Sequence, residues 1–524
     1  MGSYFVLPFS GYSMYPLIKP GDRLVAKPVH AHSLRVGDIV AIPGPDNGHD
    51  MVHRLINVSP DGRGMTKGDA MLKPDHKQVE LTMVRGRVEA IIRGRRLIPI
   101  SSDQGPDIKG LYGKLGQKGI SYSFLKLKNK LLFNQLLSRD QSKRHSKERA
   151  FILSTLRGKV PPDLTSPDWD ALTEMAYREG ATGILYMRLK EQGIPDAVLL
   201  PFENYQRNTT FMNLIHIRAV ERLEEALKGK GIQVMTFKGV CLLDIAYPQF
   251  GMRFMDDIDL IVRPEDLEPF MGILRILGYE NPGPLSHLFV KDNVTIDLHT
   301  HALHTDRIGG RGALFPSGME PLWASAIPWK SGYQYIKRPD DADHVLLLCL
   351  HLLQHSFSRL IWLEDIRRLL DQGDPHFWEK LRNRSILFKQ RKSLSYTLYL
   401  LRLLFNYEPP QESVLSLLSQ NISKAERMLL NIYATGTPLN RLGVLLEYFS
   451  ITRFRDRIRF GWETLFPKNN VLNQEFGVSS IVERLFFYPG RFFELMSLLI
   501  KLMLSIPGAM IRSTRCKRIK NTDE

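Results

Sequence analysis

The spacing of apolar residues divides the chain into regions of different predicted secondary structure. Residues 1–100 contain short apolar runs separated by Gly, Pro and Asp. Evenly spaced runs of this kind are typical of short strands joined by tight turns. The predicted strands cover 23–26, 38–42, 51–58 and 84–92. We therefore expect residues 1–100 to form an all-β unit.

Helical spacing replaces this pattern after residue 100. Residues 101–150 are rich in Lys and Arg, and apolar residues recur at helical intervals between Phe124 and Leu137. This spacing predicts a basic amphipathic helix. Two interpretations remain open at this point. The segment is either a solvated linker helix packed on a neighbouring domain, or a surface for a membrane or RNA.

Residues 151–410 mix the two periodicities. Helices are predicted at 168–192 and 213–228, strands at 232–237, 258–262 and 294–298, and helices again after about residue 340. Strands between long helical runs indicate an α+β domain with a mostly α-helical C-terminal half. Residues 411–524 are predicted to be helical. The expected fold class is therefore multidomain, with an N-terminal all-β domain, a basic linker and an α+β domain.

The most apolar stretch of the chain lies near its C-terminus, at 492–511. Glu494, Lys501 and Pro507 interrupt it, and Lys and Arg follow it. A membrane-spanning helix needs about twenty apolar residues with few charges, so this stretch falls short. It is either a buried terminal helix or an interfacial helix that makes a peripheral membrane contact.

Composition adds a compartment and a class of partner. The chain has 524 residues, a formal net charge of +16 and three cysteines. The length predicts several domains, and the charge favours an anionic partner such as a nucleotide, nucleic acid or a lipid surface. The cysteines lack the spacing of a zinc site or a disulfide framework, which indicates the cytoplasm, with a peripheral position at the inner membrane face as an extension. Nucleic acid is a partner that no recognition motif supports.

Ser13, His53 and two aspartates are the first group of residues that indicates catalysis. Ser13 lies in a turn bounded by Gly and Pro, and His53 lies in a predicted strand. A serine hydroxyl becomes a nucleophile when a base takes its proton, and a third group must orient that base. Either Asp69 or Asp75 could orient the imidazole of His53. The alternative is that this unit has lost catalysis and serves as a binding module.

Five short blocks around these residues carry a family resemblance. They read SMYP at 13–16, PGD at 20–22, VGDIV at 36–40, VHR at 52–54 and TKGDAMLKPD at 66–75. This order resembles the S24/S26 peptidase superfamily, and within it the signal peptidases that use histidine. The resemblance covers about residues 8–100. It implies a β-rich serine peptidase with Ser13 as nucleophile, His53 as base and a peptide as substrate.

A second group of residues centres on two aspartates in a predicted strand. Asp257 and Asp259 are two residues apart, so in a strand their side chains project to the same face. Carboxylates placed in this way can bind Mg²⁺ while substrate phosphates complete its coordination. Asp297, in another predicted strand, supplies a third carboxylate, and Lys238 and Arg253 are cations that suit phosphate. The pattern predicts phosphoryl or nucleotidyl transfer.

This second group resembles the nucleotidyltransferase superfamily that includes DNA polymerase beta. The resemblance is to an uncharacterised bacterial group within it. The matching residues are Lys238-Gly239, Arg253, Asp257 to Leu260 and Ile296 to His299. The resemblance covers about residues 151–410. It implies catalysis and metal binding by Asp257, Asp259 and Asp297, a nucleoside triphosphate substrate with Mg²⁺ or Mn²⁺ as cofactor, and nucleotide or phosphate contacts from Lys238, Gly239, Arg253 and His299.

A later pattern also looks like that group. It consists of His351, His355, Trp362 and Asp365. His351 and His355 are one helical turn apart, so they could bind a metal ion together. They lie in a leucine-rich run, where histidines more often pack within a helical core. Both interpretations remain open from the sequence.

Three functions follow from these patterns. The first is a metal-dependent nucleotidyltransferase that acts on an unknown acceptor, whether a protein, a peptide or a small molecule. The second is a serine endopeptidase that uses Ser13 and His53, with the second domain recognising or modifying its client. The third is a non-catalytic binding protein built from both folds.

Overall fold

A computed structural model gives the fold of this protein. It describes residues 5–9, 14, 17–18, 22–43, 51–59, 61–68, 75, 78–93, 96–100, 146–159, 167–281, 287–292, 294–303, 309–410, 422–434, 442–467, 472 and 488. The chain divides into two compact units, Met1–Tyr122 and Ser123–Glu524. The predicted basic helix of 101–150 lies almost wholly outside the described residues, as does the apolar stretch 492–511.

The first unit is an antiparallel sheet. Its strands are β1 (Phe5–Pro8), β2 (Arg23–Lys27), β3 (Ile39–Ile42), β4 (Met51–Val58), β5 (Arg63–Lys67), β6 (Val79–Glu80), β7 (Gly86–Arg93) and β8 (Arg96–Pro99). The order is β1-β2-β7-β3-β4-β5-β6, and β8 pairs with β7. Apolar side chains such as Leu24, Ile39 and Val52 form the core on one side of the sheet. The β-rich N-terminal region predicted from the short apolar runs is confirmed.

The second unit contains a mixed sheet. Its strands are β9 (Val234–Thr236), β10 (Ile258–Val262), β11 (Leu288–Lys291), β12 (Val294–His299), β13 (Ile327–Pro328) and β14 (Ile336–Arg338). The order is β11-β12-β10-β9-β14-β13, and β10 runs parallel to β12. Every residue of β10 is buried. A strand buried on both faces reads as a continuous apolar run in which a charged residue stands out, as Asp259 does here.

The helices of the second unit follow in chain order. They are α1 (Ser146–Leu156), α2 (Trp169–Glu179), α3 (Thr182–Glu191), α4 (Asp196–Ala226), α5 (Gly239–Ile245), α6 (Leu267–Ile276), α7 (Glu320–Ser325), α8 (Asp341–Gln354), α9 (Leu360–Asp371), α10 (Pro375–Leu387), α11 (Arg391–Phe405), α12 (Lys424–Ala434), α13 (Leu442–Ser450) and α14 (Phe454–Leu465). After residue 340 the described elements are all helical, so the predicted helical C-terminal half is confirmed for these residues.

Two helices differ from the predicted boundaries. The single helix expected at 168–192 is interrupted at Gly180, which has φ of +73° and separates α2 from α3. Glycine adopts this conformation without the steric penalty that other residues meet. Helix α4 begins at Asp196, 17 residues before the predicted start at Asn213, and includes Pro201. Polar residues and this proline interrupt the apolar positions of its first half, so hydrophobic spacing did not indicate a helix there.

Helix α3 packs unusually close to the turn that precedes Arg253. A Cβ atom at Gly183 would lie 2.1 Å from the carbonyl oxygen of Gly251 and 2.8 Å from Cα of Met252. These are backbone atoms, so they cannot move aside as a flexible side chain would. The contact therefore requires glycine at position 183 and fixes the path of the chain towards β10.

Two hydrophobic cores hold the second unit together. One surrounds the mixed sheet and includes Val220, Leu260 and Phe270. The other lies among the helices and includes Leu350 and Ile366. Within the part of the chain that the structure describes, no helix has both the length and the apolar composition needed to cross a bilayer.

Candidate active site

Two of the predicted catalytic carboxylates lie opposite each other on neighbouring parallel strands. Asp259 of β10 is in register with Asp297 of β12. Asp259 is 8% exposed, and the side chain of Asp297 is 23% exposed. Burial of a carboxylate is unfavourable unless another charge or a hydrogen bond compensates for it. The surroundings of Asp259 supply both.

Lys238 and His299 contact the same oxygen of Asp259. The Lys238 ammonium lies 2.7 Å from Asp259 Oδ1, and His299 Nε2 lies 3.1 Å from it. His299 Nε2 is also 3.7 Å from Asp297 Oδ2. Among the described residues, Asp259, Asp297 and His299 form one group whose ligand atoms all lie within 4.8 Å of one another. Such a group could hold a metal ion.

Asp257 and Asp259 differ in their protonation. Burial raises the pKa of Asp259, but Lys238 and the hydrogen bond from His299 outweigh it and hold the pKa well below its usual range. Asp257 lies just before β10 and behaves in the opposite way. Burial and the negative charge of Asp259 raise its pKa, and Lys238 offsets only part of this change. Asp259 is therefore the ionised carboxylate, and Asp257 is the one that gains most from an added cation.

The backbone at Lys238 is strained. Lys238 precedes α5 with φ of +62° and ψ of −127°. A residue with a Cβ atom rarely adopts a positive φ, and such strain is often found at functional sites. The next residue, Gly239, is in close contact with Met255, because a Cβ atom there would lie 2.9 Å from Met255 Sδ. This turn directs the Lys238 side chain to Asp259.

Arg253, which we expected to contact phosphate, has a different environment. Its guanidinium is buried and donates from Nε and Nη2 to the two oxygens of Asp365, at 2.8 and 2.9 Å. The Tyr247 hydroxyl donates to Asp365 at 2.6 Å. Asn213 Nδ2 donates to the carbonyl oxygens of Phe250 and Arg253, at 2.6 and 2.7 Å. These bonds fix the segment that leads to Asp257, and no sequence pattern indicated the contribution of Asn213.

His351 and His355 lie beside Trp362 at the start of α9. The ring centroids of the two histidines are 4.4 Å apart, and those of His351 and Trp362 are 4.8 Å apart. Burial lowers the pKa of His351, and the positive charge of Lys238 lowers it further. His351 is therefore neutral at physiological pH. Among the described residues, the group that could hold a metal ion does not include either histidine.

The first unit contains a histidine–aspartate pair. His53 lies in β4 beside Val40 of β3, and its Nδ1 is 2.6 Å from Asp75 Oδ2. Thr66 of β5 donates from Oγ1 to the same oxygen at 2.6 Å. Asp75, one of the two aspartates that the sequence left open, therefore contacts His53. Ser13 and Asp69 lie outside the described residues, and the sequence did not indicate Thr66.

Comparison with known proteins covers the second unit only. Residues 165–406 match the model of a protein family described as an uncharacterised nucleotidyltransferase. This range contains Lys238, Arg253, the three aspartates and His299, so it supports a nucleotidyltransferase domain and an enzymatic function. No curated protein matches the chain. The peptidase resemblance of residues 8–100 remains a prediction.

Proposed function

We propose that residues 151–410 form a metal-dependent nucleotidyltransferase that moves a nucleotidyl group from a nucleoside triphosphate to an acceptor. The observation that carries the proposal is the pairing of Asp259 with Asp297 on parallel strands, with His299 within reach of both. The family match over residues 165–406 supports the reaction class.

The residues present fit a divalent cation. Asp259 and Asp297 offer the hard oxygen ligands that Mg²⁺ and Mn²⁺ prefer, and the imidazole of His299 suits Mn²⁺ better than Mg²⁺. Asp257, the third carboxylate that we expected from the sequence, is not part of the group formed by Asp259, Asp297 and His299 among the described residues. Its raised pKa reflects burial and the repulsion of nearby carboxylates, which a cation would relieve. When bound, the cation would neutralise charge on the triphosphate and on the leaving group.

The other residues of the site act on charge and position. Lys238 neutralises Asp259 in the free protein, and we expect its ammonium to contact phosphate oxygens once a cation carries out that role. Gly239, which follows Lys238 at the start of α5, leaves room for the Met255 side chain. Arg253 acts as a positioning residue, because its donors are bound by Asp365 within the protein. His299 orients the carboxylates of Asp259 and Asp297.

Thermal unfolding of the whole chain with nucleoside triphosphates tests this function. Wild type should unfold at a higher temperature with a triphosphate and Mg²⁺ or Mn²⁺ than with either alone, because a ligand bound to the native state stabilises it. Asp257→Asn/Asp259→Asn should lose this shift. The control Glu225→Gln/Glu320→Gln removes two carboxylates that are 69% and 78% exposed and should retain it.

Transfer of label from an α-labelled triphosphate to proteins, peptides or small molecules is the second readout. Asp259→Asn should reduce it by at least about a hundredfold, because the carboxylate is part of the proposed metal site. Absence of any triphosphate-dependent shift in wild type would refute the proposal and favour a non-catalytic binding role.

The first unit has a second candidate function, serine peptidase activity. The short hydrogen bond between His53 and Asp75 favours it, because an aspartate at Nδ1 holds a histidine with Nε2 available as a base. Ser13 is the proposed nucleophile, on the basis of the sequence resemblance. Thr66 would keep the Asp75 carboxylate in place.

Labelling with a fluorophosphonate probe tests this second function. Wild type should become labelled, Ser13→Ala should not, and Asp75→Asn should label at least about a hundredfold more slowly. Ser33→Ala, at an exposed serine that donates to His30, is the matched control and should label like wild type. Equal labelling of wild type and Ser13→Ala would refute the proposed nucleophile.

A further inference from the structure

Helix α14 has an exposed stripe of large apolar side chains. Phe454, Ile458, Trp462 and Phe466 follow one another at intervals of four residues, and they are 71, 55, 62 and 39% exposed. Four residues advance about 40° around a helix, so the first three side chains lie along one slowly turning line. Phe466 is the C-cap residue just past the end of α14. We call the four side chains the α14 stripe. Exposed apolar side chains grouped in this way mark an interaction surface.

The opposite face of α14 is firmly attached to the second unit. Phe460 is 1% exposed and lies in the helical core. Glu463 Oε2 accepts a hydrogen bond from the backbone N–H of Gly310 at 2.7 Å, and Arg457 Nε donates to the carbonyl oxygen of Ile451 at 2.6 Å. The stripe is therefore the outer face of a docked helix.

Arginines border the stripe. Arg455 and Arg459 each follow a stripe residue by one position, which places them about 100° further around the helix. Arg453 is the N-cap residue immediately before the stripe, and all three side chains are exposed. Arg459 pairs with Glu463 at 3.0 Å. The border of the stripe is thus predominantly positive.

We propose that the α14 stripe docks on an anionic lipid surface. Aromatic and aliphatic side chains flanked by arginines are typical of helices that lie in the plane of a membrane interface. The stripe offers one hydrogen-bonding group, the indole N–H of Trp462, which is few for a surface that recognises protein or nucleic acid. The positive charge beside the stripe complements anionic headgroups.

The sequence beyond α14 contains a second apolar stretch with basic flanks. The ring of Phe466 lies 5.3 Å from that of Tyr488, so the end of the stripe meets the chain just before its most apolar stretch. That stretch, residues 492–511, is flanked by Lys and Arg in the sequence. Two apolar segments with basic flanks therefore follow one another in the sequence, separated by residues 467–491. The inference is independent of the proposed nucleotidyl transfer.

Vesicle flotation with the full chain tests the proposal. Wild type should bind vesicles in which about a third of the lipid is anionic phosphatidylglycerol, and bind pure phosphatidylcholine much more weakly. Phe454→Ser/Ile458→Ser should bind the anionic vesicles at least about tenfold more weakly. The control Ile276→Ser removes an apolar side chain that is 86% exposed on α6, and it should bind like wild type.

Further variants test the contribution of the arginines to binding and the contact between Trp462 and lipid. Arg453→Gln/Arg455→Gln should weaken binding about tenfold or more, whereas the control Arg275→Gln/Arg382→Gln, at exposed arginines elsewhere, should have a much smaller effect. Brominated lipid should quench tryptophan emission of wild type, and Trp462→Phe should lose most of this quenching while it still binds.

Three results would overturn the proposal. The first is a wild-type chain that does not bind anionic vesicles. The second is equal binding by wild type and Phe454→Ser/Ile458→Ser, which would assign lipid binding to another segment such as 492–511. The third is quenching that Trp462→Phe leaves unchanged, since Trp462 would then not contact lipid.

Discussion

The buried pair of Arg253 and Asp365 allows a quantitative prediction about stability. Arg253 is 5% exposed and Asp365 is 1% exposed, so neither charge is solvated by water. Burial lowers the pKa of Arg253, but Asp365 outweighs this effect and raises it overall. Arg253 therefore stays charged. Asp365→Asn keeps the shape of the side chain and removes the negative charge that compensates for the guanidinium.

We expect Asp365→Asn to lower the free energy of unfolding by about 3–5 kcal/mol, the range found when one partner of a buried ion pair is removed. Asparagine retains one acceptor oxygen, which places the expected loss at the lower end. Its amide nitrogen would face a guanidinium donor in place of the second oxygen, which Arg253 Nη2 contacts at 2.9 Å. The hydrogen bond from Tyr247 is also weakened, because it now reaches a neutral group.

Equilibrium unfolding in urea measures this loss for the second unit. Glu203→Gln is the matched control, because Glu203 pairs with Arg207 through side chains that are 32% and 71% exposed. Exposed pairs of this kind contribute between about 0 and 1 kcal/mol. If Asp365→Asn lowered stability by no more than Glu203→Gln, the pair would not anchor the segment that leads to Asp257. The positioning role of Arg253 would then be wrong.

Three other predictions concern separate parts of the second unit. Lys238→Met should raise the affinity for Mn²⁺ alone and lower the affinity for a nucleoside triphosphate, because the ammonium that contacts Asp259 is lost. Calorimetry measures both affinities, and unchanged values for both would contradict the role of Lys238. Gly183→Ala should lower the free energy of unfolding in urea by about 3 kcal/mol or more, because the new Cβ atom would overlap backbone atoms. The control Gly272→Ala, whose Cβ atom would have no neighbour within 4 Å, should raise it by up to about 1 kcal/mol. Burial lowers the pKa of His216 from 6.5 to about 4. The unfolded chain therefore binds more protons between these values, and stability should fall by up to about 1.4 kcal/mol per pH unit as pH decreases through this window. His216→Leu should make the dependence shallower, and an unchanged slope would contradict the assignment.

The sequence predicts the types of elements better than their limits. A continuous apolar run identifies β10 and alternation identifies β12, and the carboxylates at Asp259 and Asp297 stand out within them. Strand β11 was not predicted because its four residues are too few to show a periodicity. The first half of α4 was not predicted because polar residues and Pro201 interrupt its apolar spacing. Gly180, which ends α2, carries no local signal that separates it from a glycine tolerated inside a helix.

Residue type also predicts what a side chain can bind better than it predicts which residue the side chain contacts. Arg253 suits phosphate by its chemistry, yet its position opposite Asp365, 112 residues later, makes it part of the framework. The sequence contains both residues and gives no measure of the distance between them. Asp75 shows the opposite case, because the sequence named it as a possible partner of His53 and the structure places it in hydrogen-bond contact with that residue.

The position of Lys238 links the local strain of the backbone to the chemistry of the site. A positive φ at a lysine is unfavourable by about 1–3 kcal/mol, so the surrounding structure must compensate for it. The contact between Gly239 and Met255 and the ion pair with Asp259 both require this turn. Lys238 and a divalent cation would share the same oxygen of Asp259 as a target. We therefore expect cation binding and release of Lys238 to occur together, which would make the ammonium available to phosphate only when the cation is present.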